Sequence, residues 1–332
     1  MTLGREPGPV LEVLDLGATT HALWVTGGDG ERRNVLLGQA SPQERLDSAH
    51  YLGATIGRHA NRIRGGRFEL DGTTYQLGTN DRGNNLHGGP EGFDRRIWEV
   101  ADHDEHRATL RLVSPDGDQG FPGELVATVT YEVTGDAVVL ELSATCEAPT
   151  VVNLTNHAYL DLAGEGSGLA LDQVLTVPAE TFVAIDETEV PLAGPPQPVE
   201  GTPLDLRAPT RLADAARTDH PQVRVAQGVD HTFVVDGTGL RRMATLDSPR
   251  TRTRLELWSD QPALQVYTGN VLDGTVRGTT GRLYRQGDGV ALEPGLPPDT
   301  PNSPQAAAAV LRPGATYVSR IEWRFGPIPS GD

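Results

Sequence analysis

Lysine is absent from the 332-residue sequence: all 28 basic residues are arginine, against 45 Asp and Glu. Without lysine, no Schiff-base chemistry at a side-chain amine is available. The resulting net charge of −17 argues against nucleic acid or an anionic membrane surface as partner, because both reward clustered cations. Cys146 is the only cysteine, so no internal disulfide can form. No apolar run approaches the roughly 18 residues that span a bilayer. Met1 to Pro9 lacks a continuous apolar stretch and a small-residue cleavage site, so no secretory signal is expected and the cytoplasm is the expected location. Asn153-Leu-Thr155 fits the N-glycosylation pattern and, without such a signal, is read as chance.

Helical periodicity is also scarce. Only Pro42 to Ala49 and Thr210 to Arg217 look helical. Alternation with a period of two dominates instead. Arg67 to Leu70 and Thr73 to Leu77 form an expected hairpin closed by Asp71-Gly72, a pair suited to the positive φ angles of a two-residue turn. Further strands are expected over Ala108 to Val113, Leu125 to Val133, Ala137 to Thr145, His231 to Val235, Arg252 to Trp258, Ala263 to Thr268 and Thr316 to Phe325. Thirty-nine Gly and 25 Pro punctuate these segments, a texture that points to an all-β sandwich or barrel. Pro191 to Pro203 is read as a surface loop and not a linker, because the same texture continues on both sides. One domain over residues 1–332 is expected, with no internal repeat.

Polar islands interrupt this pattern where a plain sandwich would place turns or core. They are Gly57-Arg-His-Ala-Asn61-Arg62-Ile63, Asn84-Asn-Leu-His87-Gly88-Gly89 and Val152-Asn-Leu-Thr-Asn156-His157-Ala-Tyr159. Two more are Gly228-Val-Asp230-His231-Thr-Phe233, and Leu264-Gln265-Val-Tyr-Thr-Gly-Asn270 together with Leu292-Glu293-Pro-Gly-Leu-Pro-Pro-Asp299. Each residue has a structural reading beside a functional one. Glu293 could be a strand-end carboxylate, His157 a core histidine bonded to backbone, and Arg62 a surface ion pair with Arg58 and Arg64 as solvated neighbours. In a strand Asp230 and His231 face opposite ways, so at most one is expected to reach a pocket.

Taken in order, the islands resemble the galactose mutarotase (aldose 1-epimerase) family. The matching segments run from Gly53 to Trp98, Val151 to Gly164, Gly228 to Phe233 and Leu264 to Asn302. The resemblance implies a large antiparallel β-sandwich whose concave face holds one aldose. It implies Glu293 as catalytic base and His157 as acid, with Asn61, Arg62, His87, Asp230 and Gln265 holding sugar hydroxyls or steadying the pair. Of Asp230 and His231, it selects Asp230.

The chemistry of these residue types agrees. An isomerase that interconverts anomers must take a proton from the C1 hydroxyl and give one to the ring oxygen. A carboxylate and an imidazole, with ordinary pKa values of about 4.3 and 6.5, need only small adjustment for this. No hydride moves, and neither cofactor nor metal is expected. The oligomeric state, monomer or homodimer, is left open. His103-Asp-Glu-His106 carries metal-like residue types but reads as a polar turn. Gly65-Gly66 and Gly88-Gly89 do not form a phosphate loop leading into a helix.

The sequence departs from the family pattern at Pro294-Gly295, where Thr-Gln is usual, at His59, and in the Ala-rich tract Ser303 to Val310. All three are expected near the pocket rim, where they would affect sugar preference. The rival readings are a mutarotase-like protein acting on sugar phosphates, a β-sandwich glycoside hydrolase with Glu293 and Asp230 as its carboxylates, and a non-catalytic sugar-binding module.

Overall fold

The computed structural model describes residues 1–329. Two antiparallel sheets pack across a common apolar core. The larger, nine-stranded sheet runs in the order Glu99–His103, Arg107–Ser114, Leu125–Thr134, Ala137–Cys146, Tyr317–Pro327, Thr253–Ser259, Arg241–Ser248, Val174–Thr176 and Thr210–Arg211. The six-stranded sheet runs Tyr159–Leu160, Val290–Gly295, Ala263–Tyr267, Asp230–Val234, Thr181–Val183 and Gln197–Pro198. Leu140, Leu255 and Ile321 of the first share one core with Phe233, Leu264 and Leu292 of the second.

Alternation explains the larger sheet. In Leu125–Thr134 the side chains of Leu125, Ala127, Val129, Tyr131 and Val133 are buried while those between them face outward. Each fully buried side chain of the Val or Leu kind contributes about 1.5–3 kcal/mol, so a one-residue slip of register would forfeit the whole inner row. The Asp71-Gly72 hairpin forms as expected, with φ of 50° and 78° at its two turn residues. The expected strands are present with ends moved by one or two residues. Thr210 to Arg217 divides into the strand Thr210–Arg211 and the helix Leu212–Ala216. A further helix, Pro221–Ala226, starts on Pro221 with the His220 ring accepting from the Gln222 N–H. Its one and a half turns are too short to show a period in the sequence. Among the described residues no helix is long and apolar enough to cross a membrane.

The six-stranded sheet has chemistry on its outer face. His231, Phe233, Leu264, Val266 and Leu292 are buried, and most of them enter the core. The alternate residues Asp230, Gln265, Tyr267 and Glu293 therefore share the opposite face. Register aligns them, with Gln265 opposite Glu293 and Asp230 opposite Tyr267. Pro294 sits in this strand at no hydrogen-bonding cost. Pro294 faces away from Ala263–Tyr267, on the side where Tyr159–Leu160 pairs only with Val290 and Ala291, and its carbonyl accepts from Thr155 Oγ1 at 2.8 Å.

Arg58 differs from the expected solvated neighbour. It is 2% exposed, and its guanidinium donates to the carbonyls of Ser114, Pro115, Pro122 and Gly123 and to the hydroxyls of Ser114 and Thr150. It acts as an internal strut that satisfies loop carbonyls. Arg64 is half exposed, as expected. Asn153 is buried, donating to Ala60 and Leu296 carbonyls, so the glycosylation pattern is not accessible in the folded chain.

Gly88 shows how closely the loops meet. Its φ is +90°, and a Cβ there would lie 2.1 Å from the Gly57 carbonyl oxygen. A side chain would meet both the left-handed backbone penalty and a clash with backbone. Gly88→Ala should lower stability by more than about 1 kcal/mol. Denaturant melts would check this, and an unchanged midpoint would contradict it.

Candidate active site

Over the outer face of the six-stranded sheet lies a cavity of about 250 Å³. That is below the usual ~300–1,000 Å³ of drug-sized sites and suits a smaller ligand such as one sugar ring. Asn61, Arg62, His87, His157, Asp230 and Glu293 all line it. Gln265 is the one expected residue that does not. It lies beside Glu293, donating from Nε2 to Asp230 Oδ1 at 2.5 Å while its Oε1 accepts from Thr232 Oγ1. Its geometry is that of a brace for Asp230.

Three loop segments complete the wall opposite the strands. Thr155–Asn156 pairs with Thr55–Ile56, and the His157 backbone bonds to Gly53 and Ala54, which sets the histidine over the sheet. Arg62–Ile63 pairs with Asn85–Leu86, flanked by Asn61 at φ 62° and His87 at φ 54°. These two left-handed residues lock each other. The His87 N–H donates to the Asn61 carbonyl at 3.2 Å, and the Asn61 N–H donates to His87 Nδ1 at 3.1 Å. Nδ1 is thus an acceptor, which places the proton of neutral His87 on Nε2.

Glu293 Oε1 and His157 Nε2 are 3.5 Å apart, too far for a good hydrogen bond and close enough to act on neighbouring atoms of one ligand. Rings of Tyr159, His87, Tyr51 and Tyr267 surround His157 at centroid distances of 5.0 to 6.1 Å and hold its orientation. Burial governs the protonation of this pair. It raises Glu293 well above the ordinary carboxylate range, with Asp230 adding to the rise and Arg62 opposing it. It lowers His157 to about 4. Beyond the small adjustment expected from the sequence, desolvation pushes the two groups in opposite directions, each toward its neutral form. His87 is lowered well below its usual value, first by burial and then by His157 and Arg62. Burial raises Asp230 to about 6 against the pull of Arg62.

Sequence reasoning missed an ion cluster here. Arg62 donates from Nε to Asp81 at 2.8 Å and from Nη2 to Glu189 at 2.5 Å, and its Nη1 lies 3.9 Å from Asp230 Oδ2. Arg82 Nη1 reaches the other oxygen of Glu189 at 2.6 Å. Asp81 and Arg82 lie just before the Asn84 island, and Glu189 comes from Asp186-Glu-Thr-Glu, which reads as an ordinary acidic turn. His231 lies buried on the core side against Phe182, so of the adjacent pair only Asp230 faces the cavity.

The expected rim positions lie elsewhere. Pro294 and Gly295 do not line the cavity; both are buried, and a Cβ on Gly295 would lie 3.0 Å from Asn153 Oδ1. A glutamine there would press on Asn153 and not on a ligand. His59 is fully buried beneath the loops. Ala309 of the Ala-rich tract packs with Ile63, Phe68 and Val151. The His103 to His106 run is exposed, with Asp104 Oδ1 accepting from the backbone N–H groups of His106 and Arg107 as a turn does.

Among the described residues, His87, His157 and Glu293 could bring ligand atoms within 4.8 Å of one another about a metal ion. The set fits poorly. His87 Nδ1 is occupied by the Asn61 N–H, and Nε2 carries the proton, so His87 has no free lone pair to offer. Zinc titrated into the protein by calorimetry should give the same heats for the wild type and for His87→Ala. A tight single site present only in the wild type would contradict this tautomer.

The aldose 1-epimerase family model matches residues 1–324. Similar curated proteins include the aldose 1-epimerase of Escherichia coli K12, 40% identical over 98% of this chain and 94% of that one. The human galactose mutarotase is 38% identical over 95% of this chain and 90% of its own. Among solved structures, a GalM/aldose epimerase homologue from C. elegans superposes with a TM-score of 0.90 at 28% identity, covering 99% of each chain. The galactose 1-epimerase of Lactobacillus acidophilus gives 0.86 at 30% identity, over 98% of this chain and 93% of that one. With the sandwich, the buried carboxyl–imidazole pair and these relatives in agreement, the chain belongs to the aldose 1-epimerase family.

Proposed function

We propose that the protein is an isomerase that interconverts the α and β anomers of an aldose such as glucose or galactose. The observation that carries this reading is the Glu293–His157 pair, 3.5 Å apart on the wall of a monosaccharide-sized cavity. Glu293 takes the proton of the C1 hydroxyl, the C1 oxygen becomes a carbonyl, and the bond from C1 to the ring oxygen breaks as His157 protonates that oxygen. Rotation about C1–C2 presents the other carbonyl face, and the same two groups return their protons as the ring closes. His87 Nε2–H and the Asn61 amide serve as donors to sugar oxygens, and Asp230, braced by Gln265, serves as acceptor. Tyr159 and Tyr267 wall off water.

The proton inventory fits the shifted pair. Burial favours one labile proton held on Glu293, whereas the reaction starts with that same proton on His157 and Glu293 ionised, so the bound sugar must favour its transfer across the 3.5 Å between them.

The rivals lack support at the site. A sugar phosphate needs a free cation, and Arg62 and Arg82 are both engaged by carboxylates. A glycoside hydrolase would need Asp230 as its second carboxyl; Asp230 shares the cavity but is engaged by Gln265 and lies near Arg62, and the group within 3.5 Å of Glu293 is His157. We further infer one domain over residues 1–332, of which 330–332 lie outside the described residues. Supporting this, a single core cluster draws on side chains from Leu3 to Phe325. A cytoplasmic location is proposed on the unpaired thiol of Cys146 and the buried Asn153.

Glu293→Gln keeps shape but cannot accept a proton, and His157→Asn cannot deliver one. Each should cost about 10²- to 10⁴-fold in kcat by polarimetry, with the double variant little worse than the poorer single one. Near-normal turnover in either folded variant would place the chemistry elsewhere. The pH profile of kcat/KM should fall as acidity passes about 4, where His157 takes a second proton onto the pair. It should fall again above the ordinary carboxylate range, where Glu293 gives up the last labile proton. A rate that climbs through neutrality to an alkaline plateau would show the deprotonated pair to be the working form.

A further inference from the structure

The geometry points to Glu189 as a positioning residue for Arg62, one that neutralises and aims this guanidinium so that the site takes an uncharged sugar ring in preference to an anionic one. This rests on the proposed epimerase reading and adds a residue that reading does not use.

Glu189 lies on a turn far in sequence from the other cavity residues. Its side chain is 6% exposed, its φ is +59°, and it faces the cavity. The turn is built by Asp186, which accepts from the Thr188 N–H and hydroxyl at 2.9 and 2.8 Å. It is tethered to the sugar-side loops at two points. Asn84 Nδ2 donates to the Thr188 carbonyl at 3.3 Å, and Arg64 Nη1 meets Asp186 Oδ2 at 3.1 Å. A buried, left-handed, non-glycine residue on a turn held this firmly indicates a side chain that must be in one place.

That place is fixed by charge. Asp81 takes Nε of Arg62, Glu189 takes Nη2, and Arg82 anchors Glu189 from outside. Only the Nη1 edge then remains toward Asp230 and the cavity. One hydroxyl placed there can accept from Arg62 and donate to Asp230, a pairing suited to a neutral polyol. An anionic substituent finds no unspent cation, and it meets the Asp230 carboxylate. The cluster therefore converts the cavity's most strongly charged donor into a directional one.

The test compares glucose with glucuronic acid, which has a carboxylate at C6, on the wild-type chain and on Glu189→Gln and Asp81→Asn, with melting curves confirming folding. For Glu189→Gln, the KM for glucose should rise about tenfold with kcat changed less than about threefold. The kcat/KM ratio of glucuronate to glucose should rise about tenfold, because Arg62 loses a compensating negative charge. Asp81→Asn, at the more exposed side of the cluster, should move the ratio the same way. Equal losses on the two sugars in either folded variant, or a loss confined to kcat, would overturn the proposal. Failure of the unaltered protein to epimerise glucose, galactose or any other neutral aldose would instead overturn the functional reading on which it rests.

Discussion

Moving an ion from water into a protein interior costs several kcal/mol even after the surroundings relax. Glu293, His157, Asp230 and Arg62 all lie inside, each at least nine-tenths removed from solvent or close to it. The structure answers that cost differently at each group. Glu293 and His157 are left without an ionic partner at hydrogen-bonding distance, and burial drives them toward neutrality. Arg62 stays charged: burial works against it, and Asp230, Glu189 and Asp81 together outweigh that loss. One polar cavity thus holds a carboxyl–imidazole pair pushed toward neutrality beside a compensated cation, and the difference lies in how many opposite charges each group meets.

The scaffold makes this arrangement possible by separating two tasks. The nine-stranded sheet and the inner face of the six-stranded sheet supply the apolar burial that stabilises the fold. The outer face of the smaller sheet is then free to carry Asp230, Gln265 and Glu293 in register. The loops add His157, His87 and Asn61, fixed by short two-residue ladders and by the left-handed backbone of Asn61 and His87, which bond to each other. Rigidity of this kind matters for acid–base work, where a small displacement of either group costs rate.

Much of this was legible in the sequence, and the reasons are local. Long alternating strands such as Leu125–Thr134 declare themselves by period, and the Asp71-Gly72 turn by its φ requirements. Glu293, His157, His87, Asn61, Arg62 and Asp230, which line one cavity, stand out in the sequence because short polar islands carry a family pattern. Three kinds of feature were not legible. The Pro221–Ala226 helix is too short for periodicity. Glu189, Asp81 and Arg82 gain their meaning only from side chains more than a hundred residues away or on another loop, and in sequence they resemble any solvated acidic turn. Arg58 looks like a surface residue because charge is the usual mark of exposure, whereas it is buried among the loop carbonyls to which it donates, and His59, expected at the rim, is fully buried. The depth of Gly295 was hidden for the same reason: a glycine in a Pro-rich stretch reads as a loop, and here it is paired with Ala263 in the ladder.

Desolvation, more than any single neighbour, sets the protonation of Glu293. Infrared difference spectra of the ligand-free protein against Glu293→Gln, recorded across pH, read that carboxyl directly. A protonated carboxyl band assignable to Glu293 that persists above the pH at which exposed glutamates ionise is the result expected. A band that has already vanished by the pH at which exposed glutamates ionise would show Glu293 to be solvated and charged at rest, and would contradict the account.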